Sequence, residues 1–155
     1  MATPGIDLDG AVVLVTGAGG GIGAATALAF AERCSNVLAV DIDEVSAKQT
    51  AGACRAAGSR TALAYGCDVA DAEAVADLAA LVHSEHGPVD VLVNNAGVGL
   101  TGELLGMTLA DWHWVRSINL DGPVNCLRAF GPAMVERRRG HVVNVASALA
   151  YIPRA

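Results

Sequence analysis

Five short apolar runs alternate along the chain with longer segments in which apolar residues recur at helical spacing. The runs are rich in Val, Leu and Ala and carry few charges, which is typical of strands buried on both faces of a parallel sheet. The predicted strands are residues 11–15, 37–40, 61–65, 89–93 and 141–145. The predicted helices are residues 22–33, 44–57, 71–86 and 108–138. This alternation predicts right-handed crossovers and an α/β fold of the doubly wound kind.

Local signals mark the beginnings of two of these helices. Asp71 can cap the third helix, and apolar residues follow it at helical spacing (Val75, Leu78, Ala79 and Val82). Thr108 and Asp111 have the spacing of a capping box at the start of the fourth. Both helices are therefore predicted to begin at these residues.

The fourth helical segment carries two further signals. Gly122-Pro123 interrupts it, which predicts a kink or two helices in sequence. Arg137, Arg138 and Arg139 lie at its far end, where cations complement the helix dipole, and Gly140 can end it. We expect these arginines to form a solvated helix end rather than a nucleic-acid contact.

Composition narrows the class of protein. The chain has 155 residues, of which 53% are hydrophobic and 17% charged, so a packed core is expected rather than disorder. A net charge of -6 argues against nucleic-acid binding. No stretch approaches the roughly 18 apolar residues of a membrane span, and residues 1–10 lack the pattern of a signal peptide.

The four cysteines indicate the compartment. Cys34, Cys54, Cys67 and Cys126 form no Cys-x-x-Cys pair, and no histidine falls at metal-ligand spacing beside them. We expect four buried, reduced thiols in a cytoplasmic protein and no metal site.

A glycine-rich turn separates the first predicted strand from the first predicted helix. Its sequence is Thr16-Gly17-Ala18-Gly19-Gly20-Gly21-Ile22-Gly23. A helix N-terminus offers unpaired N–H groups to a diphosphate. Gly17 permits the tight turn, Gly21 permits close approach of the ligand, and Gly23 permits close packing of helix on strand. We predict that residues 17 and 19–23 bind a dinucleotide; a plain flexible loop is the alternative.

Asp41 ends the second predicted strand, about where the dinucleotide fingerprint places an acidic residue that accepts hydrogen bonds from the adenosine ribose. A carboxylate there repels the 2′-phosphate of NADP. No Arg or Lys that could neutralise this phosphate occurs at positions 17–23 or at position 42, which is Ile42. NAD is therefore favoured over NADP. The alternative is that Asp41 caps the next helix, a role for which Asp43 competes.

With two further motifs, these residues resemble the short-chain dehydrogenase/reductase family over residues 11–152. Cys67-Asp68-Val69 follows the third predicted strand, and Asn94-Asn95-Ala96-Gly97 follows the fourth. The resemblance implies a Rossmann-like doubly wound parallel sheet with strand order 3-2-1-4-5. It also implies a cofactor site made of Gly17, Gly19, Gly20, Gly21, Ile22, Gly23, Asp41, Ile42, Asp68, Val69, Asn95, Ala96 and Gly97.

The resemblance assigns two residues to catalysis. Asn119, in the fourth helical segment, would hold a water of the proton relay, and we expect it to be a buried polar residue. Ser147, after the fifth strand, would hydrogen-bond the reacting oxygen of the substrate. The alternatives are an ordinary hydrogen-bonded helix Asn and a Ser in a turn.

The chain departs from the family at the acid–base pair. The family has a Tyr roughly a dozen residues after the Ser, with a Lys four residues later. Here Tyr151 lies too close to Ser147 and is followed at that spacing by Ala155; Tyr65 lies in a predicted strand, and Lys48 is the only lysine. We expect no activity from this chain alone, and we interpret it as a fragment or truncated gene model that leaves the fifth strand as an unprotected edge.

The interpretation of the parent protein is an NAD-dependent oxidoreductase that moves a hydride between an alcohol and a ketone or aldehyde. By resemblance it would be a homo-oligomer, since this family commonly packs the fourth helical segment against a partner subunit. One alternative is a non-catalytic NAD-binding module or degenerate subunit. A methyltransferase is a third class, which would have no need of Asn119 and Ser147 at these positions.

Overall fold

The computed structural model describes residues 7–147, and in these five strands alternate with helices. The strands are β1 (Val12–Thr16), β2 (Asn36–Asp41), β3 (Ala62–Gly66), β4 (Val91–Asn94) and β5 (His141–Asn144). The helices are α1 (Gly21–Ala31), α2 (Glu44–Ala56), α3 (Ala72–His86), α4 (Leu109–Arg116) and α5 (Gly122–Glu136). A short 3₁₀ helix, Leu104–Gly106, precedes α4, and a π-helical turn, Ser117–Asp121, joins α4 to α5.

The strands form one parallel sheet in the order β3-β2-β1-β4-β5. This confirms the predicted fold class and strand order. Leu14 of β1 lies between Leu38 of β2 and Leu92 of β4. The order of the strands reverses at β1, so the carboxyl ends of β1 and β4 flank the place where such sheets bind ligands.

The core consists of two apolar layers, one on each face of the sheet. Successive side chains of a strand point to opposite faces, so Leu14 packs in one layer and Val13 and Val15 in the other. The first layer includes Phe130 of α5, which is fully buried, and the second includes Ala27 of α1. The small side chain of Ala27 lets α1 lie close to the strands that lead into the glycine turn.

Side-chain caps begin α3 and α4 as predicted. Oδ1 of Asp71 accepts hydrogen bonds from the backbone N–H groups of Glu73 and Ala74, at 2.9 and 3.1 Å. Oγ1 of Thr108 accepts from Asp111 N at 3.1 Å, and Asp111 Oδ2 accepts from Thr108 N at 3.1 Å, which completes a capping box. Both predictions are confirmed.

The expected break in the long helical segment is also confirmed. The π-helical turn ends at Asp121, and α5 begins at Gly122 with Pro123 in its first turn. Proline is tolerated there because the first turn has no intrahelical acceptor for its missing N–H. Single π turns inside helices often lie at functional sites, and this one carries Asn119.

The far end of α5 differs from expectation. The helix ends at Glu136, and Arg138 rather than Gly140 provides the left-handed residue after it, with φ of 51°. Arg137 is half-buried rather than solvated, because its NH1 donates to Oδ1 of Asp90 at 2.9 Å, and the more exposed Arg139 has its Nε 3.3 Å from the same oxygen. Asp90 is 7% exposed and accepts from Val12 N at 3.0 Å. A carboxylate this deeply buried requires a paired cation, which the helix end supplies.

Two further expectations concern exposure. Every residue of β5 is exposed, and among residues 7–147 no strand pairs with its outer edge, as expected for the fifth strand. Cys54, Cys67 and Cys126 are buried, but Cys34 is exposed, so the expectation of four buried thiols is wrong for Cys34. It lies in the turn after α1 with φ of 62°.

No helix in the described part of the chain is long and apolar enough to cross a membrane.

Candidate functional site

The glycine turn leaves the N-terminus of α1 uncovered. Gly20 caps the helix with extended backbone, and Gly21 has φ of 53°, in the region that favours glycine. A Cβ added at either residue would meet no atom within 4 Å. The space beside Gly20 and Gly21 is therefore open, which leaves room for an anionic group at the helix N-terminus.

Two other glycines are required by packing within the protein. Gly17 has φ of 64°, and a Cβ there would lie 2.8 Å from Ala96 Cα. A Cβ at Gly23 would overlap the carbonyl oxygen of Gly17 and lie 2.5 Å from Nδ2 of Asn95. This agrees with the tight turn predicted at Gly17 and the close helix packing predicted at Gly23.

The Asp41 carboxylate is hydrogen-bonded to the glycine turn. Its Oδ2 accepts a hydrogen bond from Gly19 N at 2.8 Å, and its Oδ1 accepts from Asp43 N at 2.9 Å. The cap of α2 is Asp43, which accepts from the N–H groups of Val45 and Ser46 at 3.0 and 3.4 Å. Asp41 is therefore not the helix cap that we considered as its alternative role.

The carboxyl ends of β1 and β4 are joined through Thr16 and Asn95. Thr16 Oγ1 accepts from the N–H groups of Asn95 and Ala96, both at 3.0 Å, and donates to Val93 O at 3.3 Å. Asn95 Nδ2 donates to Thr16 O and Gly17 O at 2.9 and 3.2 Å. The Asn95 amide thus ties the two strands together. Sequence reasoning gave no role to Thr16, although its position before the first glycine was a signal.

A small pocket of about 150 Å³ lies between the ends of β2, β3 and β4. It brings together seven predicted residues, which are Gly17, Asp41, Ile42, Asp68, Val69, Ala96 and Gly97. Cys67 also lines it, and burial, with a smaller contribution from the Asp68 and Asp71 carboxylates, raises the pKa of its thiol to about 11. The thiol is uncharged at neutral pH and contributes apolar surface.

A larger cleft of about 670 Å³ lies between β4, β5 and the start of α5. Asn119 and Ser147 both line it, together with Asn95, Ala96 and Gly97. The cleft shares Ala96, Gly97 and Val98 with the small pocket, so one stretch of backbone forms a wall of both. The remaining predicted residues, Gly19 to Gly23, lie in the turn rather than in either cavity.

Asn119 is not buried, contrary to expectation. It is exposed, and its amide binds one residue twice: Oδ1 accepts from Val98 N and Nδ2 donates to Val98 O, both at 2.8 Å. The π-helical turn makes this possible because it leaves Asn119 beside the loop that follows β4. The expectation of burial is wrong, because the amide is satisfied by this loop and not by the core.

Sequence reasoning also missed a hydrogen bond close to Ser147 in the chain. Asn94 Nδ2 donates to Asn144 Oδ1 at 2.8 Å, which joins the carboxyl ends of β4 and β5. Asn144 lies three residues before Ser147. The only signal in the sequence was an asparagine at the end of each strand, and the pairing depends on a register that the sequence did not give.

The described residues hold no tyrosine–lysine pair beside the cleft. Tyr65 contacts His86 Nε2 at 2.8 Å on β3, and burial together with the Glu85 carboxylate raises its pKa to about 12. Lys48 is exposed and forms an ion pair with Glu44 on α2. Tyr151, the other tyrosine, lies outside the described residues.

Comparison with known proteins places this geometry in a family. The family model described as short chain dehydrogenase matches residues 11–155. The protein named "Probable oxidoreductase EphD" of Mycobacterium tuberculosis is 48% identical over 143 residues, which cover 92% of this chain and 24% of that protein. D-threitol dehydrogenase of Mycolicibacterium smegmatis is 42% identical over 146 residues, which cover 94% of this chain and 55% of that protein.

Solved structures give the same result. A metagenomic short-chain oxidoreductase in complex with NADP superposes with a TM-score of 0.86 at 40% identity, over 92% of this chain and 63% of that one. NAD+-bound xylitol dehydrogenase superposes with a TM-score of 0.90 at 33% identity, over 96% and 57%. The chain thus spans from about a quarter to under two thirds of these proteins, and the two solved structures hold NADP and NAD+. It belongs to the short-chain dehydrogenase family.

Proposed function

We propose that the whole protein is an NAD-dependent oxidoreductase that transfers a hydride between an alcohol and the corresponding ketone or aldehyde. The observation that carries this proposal is the wall formed by residues 96–98, which is shared by the pocket beside Asp41 and the cleft beside Ser147. A dinucleotide has two ends joined by a diphosphate, and these two spaces on one sheet edge fit such a ligand. The small-molecule substrate would enter the larger cleft.

The residues present fit this cofactor. The glycine turn would hold the diphosphate with backbone N–H groups, Asp41 would accept hydrogen bonds from the adenosine ribose, and Ile42, Asp68 and Val69 would surround the adenine. When bound, the dinucleotide supplies the hydride chemistry, while the protein supplies binding and orientation. NAD is favoured over NADP because the Asp41 carboxylate repels a 2′-phosphate.

Two residues of the cleft would act on the substrate. Ser147 would hydrogen-bond its reacting oxygen. Asn119 would hold a relay water: although Val98 uses one N–H and one lone pair of the amide, a second N–H and a second lone pair remain. The proton itself would be given or taken by a Tyr–Lys pair of the kind found in the family.

We expect NADH to bind the purified chain and NADPH to bind about tenfold more weakly or worse. A change of Asp41 to Asn should weaken NADH binding about tenfold, because hydrogen bonds to a charged group contribute about 1.5–3 kcal/mol. It should also reduce the ratio of NADH to NADPH affinity, because the carboxylate that repels the 2′-phosphate is lost. The measurement is titration of NADH fluorescence. Asp43→Asn is the matched control, since it removes the same charge two residues away. Equal affinity for both nucleotides, or an equal loss in the control, would contradict the proposed specificity.

We expect no turnover when this 155-residue chain, with NADH binding demonstrated, is given NAD and a secondary alcohol. General acid–base catalysis needs a group whose pKa lies near the working pH, and the raised pKa of Tyr65 and its place on β3 disqualify it. Absorbance at the NADH band measures the outcome. The 155 residues contain no Tyr-x-x-x-Lys motif. For this polypeptide alone, that favours the second candidate function, a non-catalytic NAD-binding module or degenerate subunit. Measurable turnover would refute the expectation.

The assembly and location belong to the same proposal. Apolar side chains on α4 and α5 are exposed, including Leu109, Trp112 and Val135, and their burial in a homo-oligomer of the complete protein would remove them from water. The net charge of -6 supports a protein that does not bind nucleic acid. The free thiols of the described cysteines support a cytoplasmic location.

A further inference from the structure

The start of α5 packs directly on the small pocket. Gly122, the first residue of the helix, lies so close to Val69 that an added Cβ would be 2.8 Å from its Cγ2. One turn later, Asn125 Nδ2 donates a hydrogen bond to Val69 O at 3.0 Å. The helix therefore fixes both the side chain and the backbone of a residue that lines the pocket.

The hydrogen bond from Asn125 also affects groups beyond Val69. The peptide group between Val69 and Ala70 is planar, so fixing its carbonyl oxygen also fixes the direction of its N–H. That N–H, on Ala70, donates to Asp68 Oδ1 at 2.9 Å. Asn125, one peptide plane and the Asp68 carboxylate thus form a chain of two hydrogen bonds that ends in the pocket.

We propose that Asn125 is a positioning residue of the adenosine subsite. It does not line the pocket but orients two groups that do, the Val69 wall and the Asp68 carboxylate. The inference rests on the proposed function, because it assumes that this pocket takes adenosine. Its consequence is that a change in α5, outside the pocket, selectively weakens ligands that carry an adenosine group.

A purely structural role for Asn125 would have a different signature. Asn36 makes the same kind of bond, since its Nδ2 donates to Gly10 O at 3.0 Å and it is also half-buried. It lies at the opposite end of β2, away from the pocket. Loss of either bond should lower stability to a similar extent, whereas only the Asn125 bond should affect an adenosine ligand.

The test compares Asn125→Leu and Asn125→Ser with Asn36→Leu and Asn36→Ser in the full chain. Leu removes the donor and adds apolar bulk, whereas the Ser hydroxyl is too short to reach, so the Ser variant serves if the Leu variant does not fold. Circular dichroism establishes folding, and calorimetric titration gives affinities for AMP and NADH. We expect both Asn125 variants to bind AMP and NADH about fivefold more weakly, the fold-change of one typical hydrogen bond.

The outcomes separate the inference from the proposed function. Weaker AMP binding in the Asn125 variants, with wild-type affinity in the Asn36 variants, supports the positioning role. Folded Asn125 variants that bind AMP like the wild type, or Asn36 variants with an equal loss, overturn this inference and leave the proposed function intact. A folded wild type that binds neither AMP nor NADH overturns both.

Discussion

A change of Gly23 to Ala is expected to destabilise the chain by about 3 kcal/mol, at the upper end of overpacking effects, and to remove measurable NADH binding. The added methyl group would overlap the carbonyl oxygen of Gly17 and approach Asn95 Nδ2. Both neighbours are backbone or are held by the strands, since Asn95 Nδ2 is bonded to Thr16 O. Neither can move without displacing the turn that would hold the diphosphate.

Gly20→Ala is the control for this prediction, because it places the same methyl group three residues away in the same turn. Nothing lies within 4 Å of the added Cβ, and the φ of -171° is open to any residue. The loss of stability there should stay within about 1 kcal/mol, the size of a helix-cap change. Urea unfolding measures both variants. Equal stabilities would mean that α1 does not pack on the turn as described.

Features that depend on near neighbours in the chain could be predicted from the sequence. The caps at Asp71 and Thr108 act over two or three residues, so the spacing alone contains the signal. The break before Gly122 is local for the same reason. The parallel strand order follows from alternating elements and the handedness of their connections, which is why the topology was within reach.

The sequence indicated which residues meet at the small pocket, but not the bonds around them. These residues were expected to meet because each lies at or just after the end of a strand, and strand ends meet at one edge of a parallel sheet. The bonds were not predicted, since Thr16 meets Asn95 across 79 positions and Asn125 meets Val69 across 56. Which atoms face each other over such separations is decided by register and by how helices settle on the sheet.

Exposure was the least predictable property. Asn119 was expected to be buried because it lies within the fourth helical segment between Ile118 and Leu120, yet the π-helical turn brings it to the loop at Val98. Arg137 was expected to be solvated because three arginines end a helix, yet Asp90 lies beneath it. In both cases a contact with a distant segment decided where the side chain lies.

The pairing of Arg137 with Asp90 leads to the second large effect. A change of Asp90 to Ala should destabilise the chain by about 3 kcal/mol, the lower end of the range for breaking a buried ion pair. It removes the acceptor for Val12 N on β1 and the counter-charge of Arg137 at the end of α5. Two segments on either side of the start of β4 lose their common partner, so the midpoint of urea unfolding should fall sharply.

Asp9→Ala is the matched control, since Asp9 forms an ion pair with Arg60 at the same 2.9 Å separation, but with side chains that are 57% and 68% exposed. Water screens that pair, and its removal should change stability by about 1 kcal/mol or less. The two variants delete the same side chain from ion pairs of equal length. Their difference therefore measures what burial, the bond to Val12 N and the second contact with Arg139 Nε at 3.3 Å add to the Asp90 pair. If Asp90→Ala were no more harmful than Asp9→Ala, the bonds from Asp90 to Val12 and Arg137 would not stabilise the fold.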